Sequence, residues 1–187
     1  MGKRGIGYQR KKYELSSVYN LGQKGDEFTV FKNADQKLII NYKKIESPDI
    51  IKQRTQRKNI TLNFNTPLRL QELGKIITDP DSITPTLIIR NIERRIIVLS
   101  HFFCHADNIK LETEISDDEI SISDNRLKPY YWKRYSSRQN KNIDLSGFIG
   151  KITFHGNIKK YYPLLLIGEK INIGKNTLFG LGEYLIE

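Results

Sequence analysis

Asn59-Ile-Thr-Leu-Asn-Phe-Asn-Thr-Pro67, with Thr84-Pro-Thr-Leu-Ile-Ile-Arg-Asn-Ile-Glu-Arg-Arg-Ile-Ile-Val-Leu-Ser-His-Phe-Phe-Cys104 soon after it, sets a strand period beside a helix period. Ile60, Leu62 and Phe64 alternate with polar residues, as in a strand with one face buried. Pro67 carries no backbone donor and ends that run as a ladder. Leu87, Ile88, Ile92, Ile96, Leu99 and Phe103 then recur at helical spacing, which predicts the main core helix over residues 84–104. Ser82 and Thr84 suit its N-cap, and Pro85 suits its first turn.

Beyond this helix, residues 106–125 are acidic and polar and predict a short helix and loop facing away from any polyanion. Lys128-Pro-Tyr-Tyr-Trp-Lys-Arg-Tyr-Ser-Ser-Arg138 interleaves rings and cations and predicts a strand, Tyr130 to Tyr135, running into a basic loop. Gly147 to Phe154 is its expected hairpin partner, with His155-Gly156-Asn157 as a turn. Ile158, Tyr161, Tyr162, Leu165 and Leu166 predict a second, shorter helix over residues 158–170. A glycine-rich loop follows, and Phe179, Leu181 and Tyr184 to Ile186 suggest a last strand. From residue 59 the order is strand, helix, strand, strand, helix, strand. That is the split βαβ arrangement of an α+β, ferredoxin-like (βαββαβ, RRM-like) domain, expected over residues 59–187.

Residues 1–58 are expected to form a basic arm, a β-hairpin extension and a loop. Lys3, Arg4, Arg10, Lys11 and Lys12 charge the arm. Residues 12–19 and 26–32 read as two strands joined at Gly22 and Gly25, and Leu38 to Ile40 as a short third. Lys52, Arg54, Arg57 and Lys58 form a second basic cluster.

The net charge of +10, from 31 lysines and arginines against 21 acidic residues, predicts a polyanionic partner. Ten tyrosines and a tryptophan accompany those cations, a mixture suited to stacking on unpaired bases. Cys104 is the single cysteine, which excludes an internal disulfide or a cysteine zinc cluster. No signal peptide or membrane span is expected, so the reading is cytoplasmic, without membrane partners.

Gly174-Lys175-Asn-Thr177-Leu-Phe179-Gly180-Leu-Gly182 is the stretch best suited to phosphate: glycines admit close backbone approach and Lys175 adds charge. Its spacing is wrong for a nucleotide-hydrolase phosphate loop, which places the lysine after the second glycine and then starts a helix. A tight packing turn accounts for the same residues equally well. Among the histidines, His101 and His105 flank Cys104 at helical spacing, but no further ligand completes a metal site and none is expected. His155, near Lys151, Lys159 and Lys160, is the candidate general acid or base.

Taken together with Gly5-Ile-Gly7, Tyr13-Glu-Leu15, Leu62-x-Phe64-x-Thr66-Pro67-Leu68-Arg69-Leu70, Arg94-Arg95, Trp132-x-Arg134-Tyr135-Ser136-x-Arg138-Gln139 and Leu145-x-Gly147-x-x-Gly150, the glycine-rich stretch resembles CRISPR-associated RAMP proteins. The likeness is to the branch of pre-crRNA-processing endoribonucleases, matched in order over nearly the whole chain. The resemblance implies a ferredoxin-like RAMP domain, CRISPR repeat RNA as partner, no cofactor, and metal-independent cleavage in which the ribose 2′-OH attacks the adjacent phosphate. On that reading, the chemistry of the residues assigns RNA contacts to Gly174, Lys175, Thr177, Gly180, Gly182, Arg134, Arg138, Lys133, Trp132, Arg94 and Arg95. In that family the Gly-x-Gly stretch lies in mid-protein, so the chain looks like a C-terminal half. The catalytic histidine generally belongs to the other half, and Asn172 stands where many relatives carry a histidine. The expectation is therefore RNA binding, with cleavage requiring an N-terminal RAMP half or other effector subunits. Two rival readings remain: a self-sufficient ribonuclease using His155, and a structural subunit of a CRISPR effector complex.

Overall fold

The structure, a computed structural model, describes residues 14–21, 27–39, 52, 53, 55–105, 109, 113, 115 and 118–187. The chain divides into two compact units, Met1–Asp49 and Ile50–Glu187. In the first, β1 (Ser17–Leu21) pairs antiparallel with β2 (Glu27–Lys32), and β3 (Lys37–Leu38) pairs with β2 in turn. The third strand starts one residue earlier than expected because Gln36, at φ 48°, reverses the chain there. The basic arm before residue 14, the Gly22/Gly25 turn, Ile40 and Arg54 lie outside the described residues.

The second unit begins its sheet with β4 (Asn59–Leu68), whose Ile60, Leu62 and Phe64 are all nearly inaccessible. Burial of each such side chain stabilises the fold by about 1.5–3 kcal/mol. A short hairpin, β5 (Gln71–Glu72) and β6 (Lys75–Ile76), precedes helix α1 (Pro85–Cys104). The Thr84 hydroxyl accepts from the Leu87 N–H at 3.1 Å, capping the helix as its sequence foretold. Its buried face carries Leu87, Ile88, Ile89, Ile92 and Glu93, with Ile96 packed alongside. Beyond Ile96 the core contact lapses: Phe103, expected inside, is 76% exposed.

Residues 120–125 correct the expectation of a short helix and loop: they form strand β7 (Ile120–Asn125). The acidic composition hides a two-residue alternation, Ile120-Ser-Ile122-Ser-Asp124, in which Ile120 reaches the core. The expected strand from Tyr130 to Tyr135 is likewise corrected. Lys128–Tyr130 is β8, which continues the β7 side of the sheet, and the chain then leaves the sheet at Tyr131. Lys133–Ser136 (β9) and Lys141–Asp144 (β10) form a separate hairpin. Strand β11 (Gly147–Gly156) returns through the sheet centre, α2 (Ile158–Ile171) packs beside α1, and β12 (Tyr184–Ile186) closes the edge.

The sheet order is β12-β4-β11-β7, every neighbour antiparallel, with β8 also on β11. That is a ferredoxin-like sheet, its buried face covered by both helices through one continuous core. Tyr184 is fully buried against Phe64, their ring centroids 5.2 Å apart, and its hydroxyl donates to the Leu165 carbonyl of α2. Burial pushes its phenol well above the usual value, so it stays a neutral donor. No described helix is long and apolar enough to cross a membrane.

Candidate nucleic-acid interface

The glycine-rich loop leaves α2 at Asn172 and is stitched to the end of β4. Lys175 N–H donates to the Arg69 carbonyl at 2.7 Å, and Gly182 N–H to the Pro67 carbonyl at 3.0 Å. The loop also closes on itself, Ile173 N–H donating to the Gly182 carbonyl at 3.0 Å. Such close approach explains two glycines: with positive φ, Gly174 has the Arg69 carbonyl where a Cβ would stand, and Gly182 has that of Ile173. Gly180 is different, for nothing lies within 4 Å and only its φ of +81° asks for glycine. Its amide donates to Thr177 and that of Gly182 to Pro67. These glycines therefore supply shape rather than free donors.

Charge comes from side chains. A cleft of about 380 Å³ runs between α1 and the loop, lined by Arg94, Arg95 and Lys175 with Thr177, Leu178 and Phe179 among others. Among the described residues no carboxylate lines it. Among the described residues Arg94 and Lys175 make no ion pair, whereas Arg90, one turn earlier on α1, is held by Glu93 at 2.8 Å. Arg95 is partly engaged, donating to the Ile171 carbonyl at the end of α2 at 3.4 Å. The guanidinium of Arg134 lies 5.0 Å from the centre of the Phe179 ring, which joins the β9–β10 hairpin to the rim.

The structure thus brings together Arg94, Arg95, Gly174, Lys175 and Thr177, and adds Arg134 through Phe179. Trp132 lines no part of this cleft; its backbone is pinned by Ser146 and Leu145 at the hairpin neck. Lys133 lines another cleft, and Arg138 is exposed in the turn between β9 and β10. Phe179, Leu178 and Asn91 were not singled out as contacts by the sequence. The helical spacing from Asn91 to Arg94 and the place of Phe179 between two glycines were the signals available.

His155 does not stand in a turn. It is a paired residue of β11, opposite Asn59, with its Nδ1 2.7 Å from the Asn59 Oδ1. The Gly156 N–H bond to Lys58 holds the chain extended there. Nine residue steps along β4 take the chain from Asn59 to Leu68, next to which the glycine-rich loop is attached, roughly 30 Å at strand rise. Two of the three lysines near His155 are occupied: Lys151 pairs with Glu187 at 2.6 Å and Lys160 with Glu119 at 2.7 Å. The Lys160 hydrogen bond, and then that of Tyr161, hold the Glu119 carboxyl below its usual range. Lys151 and Asn63 do the same for Glu187. Among the described residues no group of three or more His, Cys, Asp or Glu side chains could hold a metal ion.

No curated protein sequence matches the chain. Among solved structures it is similar to Thermus thermophilus Cas6, at 13% identity and a TM-score of 0.50, over 76% of this chain and 58% of that one. A Cas6 product complex is similar at 17% identity and TM-score 0.49, over 75% of this chain and 56% of that one. The chain therefore spans a little over half the length of these Cas6 structures. A further match, in a partial Cas6-RT-Cas1–Cas2 complex, has 17% identity and TM-score 0.47, covering 73% of this chain and 23% of that one. The model of the family of CRISPR-associated endoribonuclease Cas6 matches residues 62–184, well over half of the sequence, and the chain belongs to that family.

Proposed function

We propose that this chain binds CRISPR repeat RNA as the C-terminal, RNA-holding half of a metal-independent pre-crRNA endoribonuclease, residues 59–187 being its RAMP domain. The observation that carries this is the cleft between α1 and the glycine-rich loop, where Arg94 and Lys175 stand without carboxylate partners among the described residues. Unpaired cations facing one groove attract phosphates and release counterions on binding. Gly174, Gly180 and Gly182 set the loop shape, Thr177 offers a hydroxyl, and Arg134 waits at the rim. Arg138 and Lys133 would extend the grip along the hairpin, and Arg95 would contribute from α1.

Cleavage in this reading is completed by a second RAMP-type domain or another effector subunit bearing the histidine. Among the described residues no histidine lines the cleft, and Asn172 donates to the Leu181 carbonyl at 3.3 Å as a loop clip. The test is binding and cleavage of a labelled CRISPR-repeat RNA in chelator across a salt series. Tight binding that weakens steeply with salt and leaves the RNA intact is expected. Cleavage to a 2′,3′-cyclic phosphate by this chain alone, abolished by His155→Ala, would instead make it a self-sufficient nuclease. Absent or salt-insensitive binding would make it a structural subunit.

A further inference from the structure

The β9 strand is two-sided. Successive strand residues face opposite ways, and while Arg134 reaches Phe179, its neighbour Lys133 lines a second cleft of about 410 Å³. This cleft shares no residue with the first, and its size is in the range, about 300–1,000 Å³, of sites that hold small organic groups. Its walls include Ile77, Tyr130 and Tyr131, the last 86% exposed. An exposed tyrosine beside a lysine with no ion pair among the described residues is a stacking platform beside a phosphate contact.

The cleft also holds a pinned acceptor. Asp144, cross-strand partner of Lys133, accepts from the Ser146 N–H at 3.0 Å and hydroxyl at 2.6 Å. Arg69 bonds its other oxygen at 3.2 Å and the Ser146 carbonyl at 2.6 Å. The Ser146 hydrogen bonds hold the carboxyl below its usual range, so it remains an anionic acceptor with half of its side chain exposed. Such a carboxylate favours a base with an exocyclic amino donor and offers nothing to the carbonyl of uracil.

Resting on the RNA-binding reading above, we propose that this second cleft takes one unpaired nucleotide of the bound RNA. Its base stacks on Tyr131, its amino group donates to Asp144, and its phosphate lies at Lys133. The hairpin then separates two grips on one strand, phosphates on the Arg134 side and a base on the Lys133 side.

The experiment uses the full chain and short single-stranded RNAs carrying the fluorescent base aminopurine at one position at a time. Quenching is expected at one position, lost in Tyr131→Ala and kept in Tyr131→Phe, with affinity falling roughly tenfold in the alanine variant. Replacing that base by cytosine should bind several-fold more tightly than replacing it by uracil. Arg94→Ala is the control: if it weakens binding while Tyr131→Ala changes neither affinity nor quenching, the second cleft is overturned and the first stands. If the unaltered chain binds no RNA, the functional reading itself has failed. Equal affinity for cytosine and uracil removes Asp144 from the site.

Discussion

The two ends of the central strand pair β4–β11 both carry cations, and several of these are held differently at each end. At the Asn59–His155 end, Lys151 and Lys160 are bonded to Glu187 and Glu119. At the Leu68 end Arg69 is bonded to Asp144, but Arg94 and Lys175 face a shared cleft that no described carboxylate lines. Exposed ion pairs contribute little to stability, generally below about 1 kcal/mol, so their main effect is to cancel local field. Net charge alone would spread a polyanion over the whole surface. On the proposed reading, the pairing of Lys151 and Lys160 weakens the attraction at that end relative to the glycine-rich loop.

The largest effect should come from removing the loop's shape. Gly182→Ala forces a methyl into the Ile173 carbonyl in a backbone conformation that L-residues avoid, and a destabilisation of about 3 kcal/mol or more is expected. Gly174→Ala should follow for the same reason against Arg69, while Gly180→Ala has open space and should cost only about 1 kcal/mol, its φ penalty. Chemical denaturation of the three variants orders them. A Gly180→Ala loss equal to that of Gly182→Ala would show that backbone conformation, not close approach, decides this loop.

Next in size are the charges. Arg94→Ala and Lys175→Ala should each weaken RNA binding by several-fold and lower the slope of log affinity against log salt by about 0.7–1. Lys151→Ala should leave both unchanged. Filter binding over a salt series measures this directly, and equal slopes for Arg94→Ala and Lys151→Ala would dissolve the distinction between the two ends.

How far this contrast was legible in the sequence depends on what each part encodes locally. The alternation of Ile60, Leu62 and Phe64 and the Thr84-Pro85 start of α1 are short-range signals, and both were read correctly. Strand β7 was missed because the acidic run of residues 112–119 just before it outweighed the short Ile120-Ser-Ile122 alternation. The β9–β10 hairpin was missed because Tyr130 to Tyr135 looks continuous, while the break at Tyr131 is set by pairing of β8 with β11. The meeting of Arg94 with Lys175 needs α1 and the loop on the same side of the domain, which the resemblance suggested and no spacing could. Ion pairing was not legible at all: Glu119 and Lys160 lie 41 residues apart and meet only through the fold.

The smallest effect belongs to that pair, and it tests why the His155 end is quiet. Glu119 has its folded pKa lowered from an ordinary 4.5. Its stabilisation is therefore fully present above that value and lost as pH falls through the lower, folded one. Thermal melting of Glu119→Gln should accordingly show a slightly shallower decline than the unaltered chain as pH is taken below about 4.5. At neutral pH the same substitution frees Lys160. If pairing silences this end, one unpaired cation is gained, and the salt slope of RNA binding should steepen by up to about 0.7 without any change at the glycine-rich loop. An unchanged slope would mean that the RNA never reaches the Lys160 end, so that distance from the cleft, rather than cancelled charge, keeps it out of the interface.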